Sequence, residues 1–546
     1  QGSARSVTAA EAAGAAANGA MRCVGSFKRT AEVAPPSASS PGPQEAVVGV
    51  GLSLPLPIAS ECLPKVTASG LPSGLAVDAS TARIVGVPKA AGAYTVTFTA
   101  SNAGGAAAAQ SFVLTVIPLP AWAQGTFNGF YRIPDGAGGA SDGGPASMTV
   151  TAQGKVTGKL SFRGTNYTFS AASFAERTSG GSLTLQVTAK SVKATLPLAF
   201  DVWRLADSCA GGCGLPATLG AAQASTSEGW LELYRNVWKD AGMSSELAQY
   251  VGYYTATLPG NDSFGSGYLT LTVDAYGTVK TSGKLADGTS VSMSGPLLWG
   301  TFKGAVLYNV PLAYKGGRFF GLVEFVKPAD GGACYLRPLE DGGLLWKSLN
   351  PQATATYRAG FQRSLGLAGG WYDKVGNLYS YYAGRVLAAG ADAGAPAPEI
   401  TVGGTRYASA WWNPDGVVLA PVLNSLGVMT GLKAPAAGKP VSVDNAWVYD
   451  AADNTAGLTF TLTRVTGLYR GTFKAWFDYG TTHTAKSVSF QGALTPVRET
   501  PGDGREGRGY FLWADKGSYV NAQGSTSTYS FNESYDFLIL GAPAPE

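Results

Sequence analysis

The sequence predicts an all-β protein: a β-sandwich near the N-terminus, then repeated antiparallel β-barrel or sandwich domains. Three observations lead there. Short runs alternate in polarity with period two, as in Gly92-Ala93-Tyr94-Thr95-Val96-Thr97-Phe98-Thr99-Ala100. Glycine, 74 of 546 residues, punctuates these runs at tight turns. A long segment also recurs: Gly129-Phe130-Tyr131, Gly252-Tyr253-Tyr254 and Gly370-Trp371-Tyr372 stand 123 and 118 residues apart.

Composition narrows the function classes. Charged residues are only 14% of the chain, and 40 Lys+Arg against 36 Asp+Glu leave +4. So small and unclustered an excess does not suit a polyanion binder, and no phosphate loop of the Walker type is present, so nucleic acid is not an expected partner. Hydrophobic residues at 45% and aromatics at 11% rule out disorder as the cause of the low charge. No run of about 18 apolar residues occurs, so no membrane-spanning helix is expected. The chain starts at Gln1 without Met and reads as processed. At about 150 residues per domain the length fits three to four domains.

The elements follow in order. Residues 1–45 read as an N-terminal arm, with an Ala-rich stretch from Thr8 to Ala20 and an extended Pro/Ser/Ala-rich linker over 34–45. Residues 46–118 read as the sandwich, with Val47–Ile58, Ile84–Val87, Gly92–Ala100 and Phe112–Val116 as its strand-like runs. Residues 119–247 and 248–365 read as barrel units one and two. Met148-Thr149-Val150-Thr151-Ala152-Gln153-Gly154-Lys155-Val156 in the first matches Leu271-Thr272-Val273-Asp274-Ala275-Tyr276-Gly277-Thr278-Val279 in the second. Whether they close as one barrel or two is left open by the repeat. Residues 366–546 read as a longer C-terminal barrel unit.

The stretch LPSGLAVDASTARIVGVPKAAGAYTVTFTASNAGG at 71–105 resembles the Ig-like, cadherin-related domains of bacterial exported proteins. Calcium is not expected, since no acidic cluster accompanies Asp78. Farther on, Gly467-Leu468-Tyr469-Arg470-Gly471-Thr472-Phe473, Phe490-Gln491-Gly492 and Gly507-Arg508-Gly509-Tyr510-Phe511-Leu512 resemble a C-terminal element of large surface proteins of the verrucomicrobial type. Those proteins place Ig-like domains ahead of such barrels. The resemblance implies a secreted protein on the bacterial cell surface.

Chemistry-bearing motifs are few. The only histidine, His483, follows Gly480 and reads as an exposed turn residue without nucleophile or orienting carboxylate. Asp274, Asp287, Glu324, Asp373 and Asp415 are the carboxylates that paired glycoside chemistry would need, yet most sit beside glycine in turn contexts. Asp135, Asp142, Asp341 and Asp503 precede glycines as isolated turn pairs, not calcium loops. Asn166, Asn261 and Asn532 open N-glycosylation triplets that arise readily by chance in a Ser/Thr-rich chain. No catalytic residue, metal site or cofactor is expected.

Five cysteines, two pairs and one left over, fit an oxidising exterior. Cys23 and Cys62 are placed to staple the arm to the sandwich, and Cys209 and Cys213 to close a small loop; buried free thiols are the other reading. Cys334 is then free or pairs between chains. Aromatic clusters are the strongest binding signal. Tyr379, Tyr381 and Tyr382, with Trp411 and Trp412, either pack inside a barrel or form a glycan- or partner-binding face.

The expectation is a non-enzymatic structural or adhesive protein of the cell surface or a filamentous assembly, with self-association or other surface proteins as partners. The arm would add a strand to a neighbour at Thr97-Phe98-Thr99 or Leu271-Thr272-Val273. A carbohydrate-binding module array on the bacterial surface is the alternative.

Overall fold

The computed structural model describes residues 33–374 and 459–543 apart from short breaks, and only individual strands between those blocks. Nearly every described element is a strand; the α-helix Met243–Ala248 is a single short turn region. The chain divides into two compact units, 1–128 with 146–235, and 129–145 with 236–546.

The first unit opens with the Ig-like sandwich. One sheet runs Gln44–Val47, Gln110–Ile117, Gly92–Asn102, Lys65–Ser69, and the other runs Leu52–Pro55, Arg83–Gly86, Leu75–Asp78. Alternation decides which side chains go in. Val96, Phe98 and Ala100 are buried against Phe112, Leu114 and Ile84, while Thr97 and Thr99 point outward. There the hydroxyls pair across strands, Thr67 with Thr99 at 2.9 Å and Thr97 with Ser111 at 2.8 Å.

Residues 34–45 are not the free linker expected from their composition. Gln44–Val47 pairs in parallel with Leu114–Ile117, and Ser37–Ala38 pairs with Ile58–Ala59. The Asn102 side-chain amide also donates to the Ala34 carbonyl at 2.8 Å. Proline and serine favour extended backbone, and an extended chain at a sheet edge can pair as readily as it can link.

The first barrel follows. Its eight strands are Gly125–Pro134, Ala140–Val150, Val156–Phe162, Thr165–Ala171, Leu183–Lys190, Thr195–Arg204, Gly220–Ser225 and Trp230–Arg235. They form an up-and-down ring. The last strand returns to the first, and the pairing of Thr168 with Lys190 closes the middle. The interior is filled by alternate residues such as Leu183, Leu185 and Val187, with Phe169 and Phe200 rings 5.6 Å apart.

In the second unit a separate ring repeats this order. It runs through Gly252–Leu258, Gly267–Val273, Thr278–Lys284, Ser290–Pro296, Ala305–Pro311, Gly317–Val326, Tyr335–Pro338 and Ala368–Trp371. An isolated bridge pairs Leu298, just past the fourth strand, with Ala305, the first residue of the fifth. Units one and two are therefore two sheets, not one large barrel. One exchange was not visible in the repeat. Leu344–Ser348 leaves the ring to pair with the start of Gly317–Val326, and Ala368–Trp371 takes the place beside Gly252–Leu258. The two aromatic repeat motifs thus pair with each other, Tyr254 opposite Trp371. Gly369 permits this, because a Cβ there would lie 2.2 Å from the Thr255 carbonyl oxygen.

The C-terminal sheet centres on Thr526–Pro543, Arg505–Val520, Thr482–Leu494, Leu468–Tyr479 and Thr459–Thr463. It curls tightly round an aromatic core. The Phe490 and Phe537 rings stack at 3.7 Å although a strand lies between theirs, and the Tyr469 hydroxyl donates to the Phe537 carbonyl at 3.1 Å.

Candidate functional site

Two arrangements of polar groups stand out, one within each compact unit. In the first, the Ig-like sandwich is bonded to the first barrel. Gly51 N–H donates to the Phe174 carbonyl at 3.0 Å, and Phe174 N–H donates to the Gly49 carbonyl at 2.9 Å. Arg177 and Glu45 form an exposed ion pair at 2.5 Å. The contact needs two glycines face to face: Gly49 and Gly154 both have positive φ, and a Cβ on either would come within 2.5 Å of the other segment's backbone.

In the second unit a seam of buried polar groups joins the second barrel to the C-terminal sheet. The Thr255 hydroxyl donates to the Leu494 carbonyl at 2.6 Å, and the Tyr253 hydroxyl to the Thr466 carbonyl at 2.9 Å. Lys374 lies over the Tyr253 ring at 4.2 Å. Deeper in, Tyr268 donates to Gln491 at 3.1 Å, and Gln491 donates to the Tyr510 hydroxyl at 2.6 Å. Ser266 N–H reaches Asp536 at 3.1 Å, and Arg508 pairs with the same carboxylate at 3.1 Å. Ser534 donates to the Ala286 carbonyl at 2.5 Å. Burial pushes the Tyr268 and Tyr510 phenols above their ordinary range, so both stay neutral, Tyr268 donating and Tyr510 accepting. The Ser266 hydroxyl is fully buried without a partner. The chemistry this arrangement supplies is a hydrogen-bonded joint.

The sequence-predicted carboxylates are dispersed. Asp274 accepts from the Tyr276 and Thr278 amides, both at 2.9 Å; burial acts to raise its pKa, but these bonds outweigh it and the net shift is downward. Asp287 accepts from Thr289 N–H at 2.8 Å. Glu324 is held by Arg337 at 2.9 Å, which also reaches Glu499 at 3.2 Å. Asp373 is half-buried after the Ala368–Trp371 strand. Asp142 is no turn residue: it sits on a strand and bonds both Arg318 and Lys347. Asn166 is exposed on a strand, and Asn532 lies within Thr526–Pro543. Among the described residues no cluster of three or more His, Cys, Asp or Glu could hold a metal.

Other expectations change. His483 is not in a turn but in the strand Thr482–Leu494, opposite Asp478 in register. Cys334 is 3% exposed with a free thiol, and burial pushes its pKa up to about 12, so it cannot join two folded chains. Cys62 is half-buried in the sandwich. Its proposed partner Cys23 lies outside the described residues, as do Cys209 and Cys213. Tyr379, Tyr381, Tyr382, Trp411, Trp412, Asp135, Asn261, Asp341, Asp415 and Asp503 lie outside them too. Neither proposed strand acceptor is an edge. Thr97-Phe98-Thr99 is paired on both sides by Lys65–Ser69 and Gln110–Ile117, and Leu271-Thr272-Val273 by Gly252–Leu258 and Thr278–Lys284. Their backbone groups are already used.

Residues 35–117 match the family described as "Putative Ig domain", which accounts for the sandwich. No curated protein matches the chain. Among solved structures it is similar to a "putative alpha-galactosidase/melibiase" of Bacteroides fragilis, at 28% identity and a TM-score of 0.15, over 16% of this chain and 19% of that one. A second "putative alpha-galactosidase" of the same organism gives 26% identity and a TM-score of 0.15, over 18% and 21%. The chain thus spans about a fifth of the length of those structures. No helix among the described residues is long and apolar enough to cross a membrane.

Proposed function

We propose that this chain is a non-enzymatic extracellular protein with a structural or adhesive role, a subunit of a cell-surface or filamentous assembly on a bacterium. The Ig-like domain supports an extracellular setting, because such modules serve as spacers and binding scaffolds outside cells. The observation that carries the structural role is the joining of domains by main-chain bonds. The sandwich meets the first barrel through two backbone hydrogen bonds over paired glycines, and the second barrel meets the C-terminal sheet through the buried seam. Domains joined in this way transmit load and hold spacing, which a string of flexibly tethered beads does not.

Self-association through the N-terminal arm completes the reading. An extended segment adds to a free sheet edge through main-chain bonds. In the sandwich, Lys65–Ser69 is such an edge strand. The test is a chain lacking residues 1–32, which leaves Gln44–Val47 in place, compared with the full chain by sedimentation. Loss of assembly with a folded sandwich is expected. Unchanged assembly overturns the role of the arm.

A further inference from the structure

We infer that the outer wall of the first barrel binds an acidic polysaccharide through Lys159, Lys190 and Lys193. This rests on the extracellular, adhesive reading and gives that reading a ligand. The strand register gathers the three lysines. Lys159 of Val156–Phe162 lies opposite Thr168 of Thr165–Ala171, and Thr168 lies opposite Lys190 of Leu183–Lys190. Residues directly opposite share a face, so the two lysines flank the Thr168 side chain, two strand spacings or about 10 Å apart. Lys193 stands in the turn that follows, closed by Ser191 N–H on the Ala194 carbonyl.

All three lysines are exposed, and none forms an ion pair among the described residues. Nearby arginines differ: Arg163 pairs with Glu228, Arg177 with Glu45 and Arg204 with Asp207. The strands Val156–Phe162, Thr165–Ala171 and Leu183–Lys190 carry no Asp or Glu. On the neighbouring strand Thr195–Arg204, Asp201 lies opposite Thr184, about 20 Å along the strand from Lys190. The chain's excess of +4 looks unclustered along the sequence, yet the fold sets three unpaired positive charges together. A local field of one sign draws a polyanion.

The surroundings select among polyanions. Thr168, Thr195 and Asn166 stand exposed beside the lysines and offer hydroxyl and amide groups. The rings on these strands give bases no stacking platform, since Tyr167 is buried and Phe162 half-buried. Val192 is fully exposed at the turn, but one valine is too little apolar surface to seat the barrel in a lipid layer. A sugar chain bearing carboxylates matches both features. Its charges meet the ammonium groups and its hydroxyls meet Thr168 and Asn166.

The test is retention of full-length protein on immobilised polygalacturonate, with neutral dextran and phosphatidylglycerol vesicles as the other probes. Binding to polygalacturonate is expected, and it should weaken as salt is raised. Lys159→Gln, Lys190→Gln and Lys193→Gln combined should weaken it roughly tenfold or more, with an unchanged melting temperature. Lys65→Gln, Lys89→Gln and Lys280→Gln combined remove the same charge from exposed lysines elsewhere and should bind like the parent. No retention on polygalacturonate, equal retention on dextran, tighter binding to the vesicles, or equal loss in the two triple variants overturns the inference. Should the first triple variant not fold, Lys159→Gln and Lys190→Gln singly must each weaken binding. Failure here leaves assembly of the chain untouched, whereas lysine-dependent binding by a chain that stays monomeric upholds the inference and overturns the assembly.

Discussion

Replacing Gly154 by alanine separates two effects at the junction of the sandwich and the first barrel. Gly154 has φ +78° and closes the turn between Ala140–Val150 and Val156–Phe162. Alanine in that left-handed conformation costs about 1–2 kcal/mol, and this falls on the barrel turn whether or not the sandwich is docked. The second effect is steric. The new methyl would lie 2.5 Å from the Gly49 carbonyl oxygen and 2.7 Å from its Cα, both backbone atoms that cannot swing aside. The junction must open. Opening breaks the bonds of Gly51 N–H and Phe174 N–H, each worth about 1 kcal/mol net, so protection held by about 2 kcal/mol is lost. The exposed Arg177–Glu45 pair adds little to this. Amide exchange at Phe174 and Gly51 should accelerate roughly 30-fold, since each 1.4 kcal/mol is a factor of ten. Amides of the sandwich core at Val96 and Phe98 should not change. Gly154→Asn relieves part of the backbone strain but keeps the clash, so it should restore melting temperature more than protection. Unchanged exchange at Phe174 in Gly154→Ala would refute the tight junction.

Further outcomes follow from the same geometry. Cys334, 3% exposed with a pKa pushed up to about 12, should resist thiol reagents at pH 8 until the chain unfolds; labelling of native protein would contradict its burial. Arg508→Ala leaves the buried Asp536 carboxylate without its cation and should destabilise the second unit by about 3–5 kcal/mol in denaturant melts. A loss under about 1 kcal/mol would show the pair to be peripheral. Gly369→Ala sets a methyl against the Thr255 backbone and should open the second ring at Ala368–Trp371, read as faster exchange of Ala256.

Period-two alternation made the strands legible, because one buried face imposes it regardless of distant partners. Gly92–Asn102 is the clear case: Val96, Phe98 and Ala100 read as inward, and they are inward. The repeat likewise announced barrel-forming meanders. It did not announce that Ala368–Trp371 displaces Leu344–Ser348, since both segments carry acceptable strand composition and the close approach made at Gly369 and Gly370 depends on distant partners. The linker reading of 34–45 failed for a related reason, because proline-rich backbone is extended in a linker and at a sheet edge alike. The seam was also missed. Gln491, Arg508 and Asp536 sit singly between Gly or aromatic neighbours on strands, and a polar residue in that setting was the available signal. What it pairs with depends on a fold contact far along the chain, Tyr268 with Gln491 for example, which no local pattern encodes.

The ordered assembly proposed for the native protein is open to direct observation. Electron microscopy of unheated, unreduced full-length protein, alongside light scattering, tests it most directly. The account predicts filaments or lattices with a regular repeat. A monodisperse monomer under these conditions would contradict it and turn attention to glycan binding through Trp411 and Trp412.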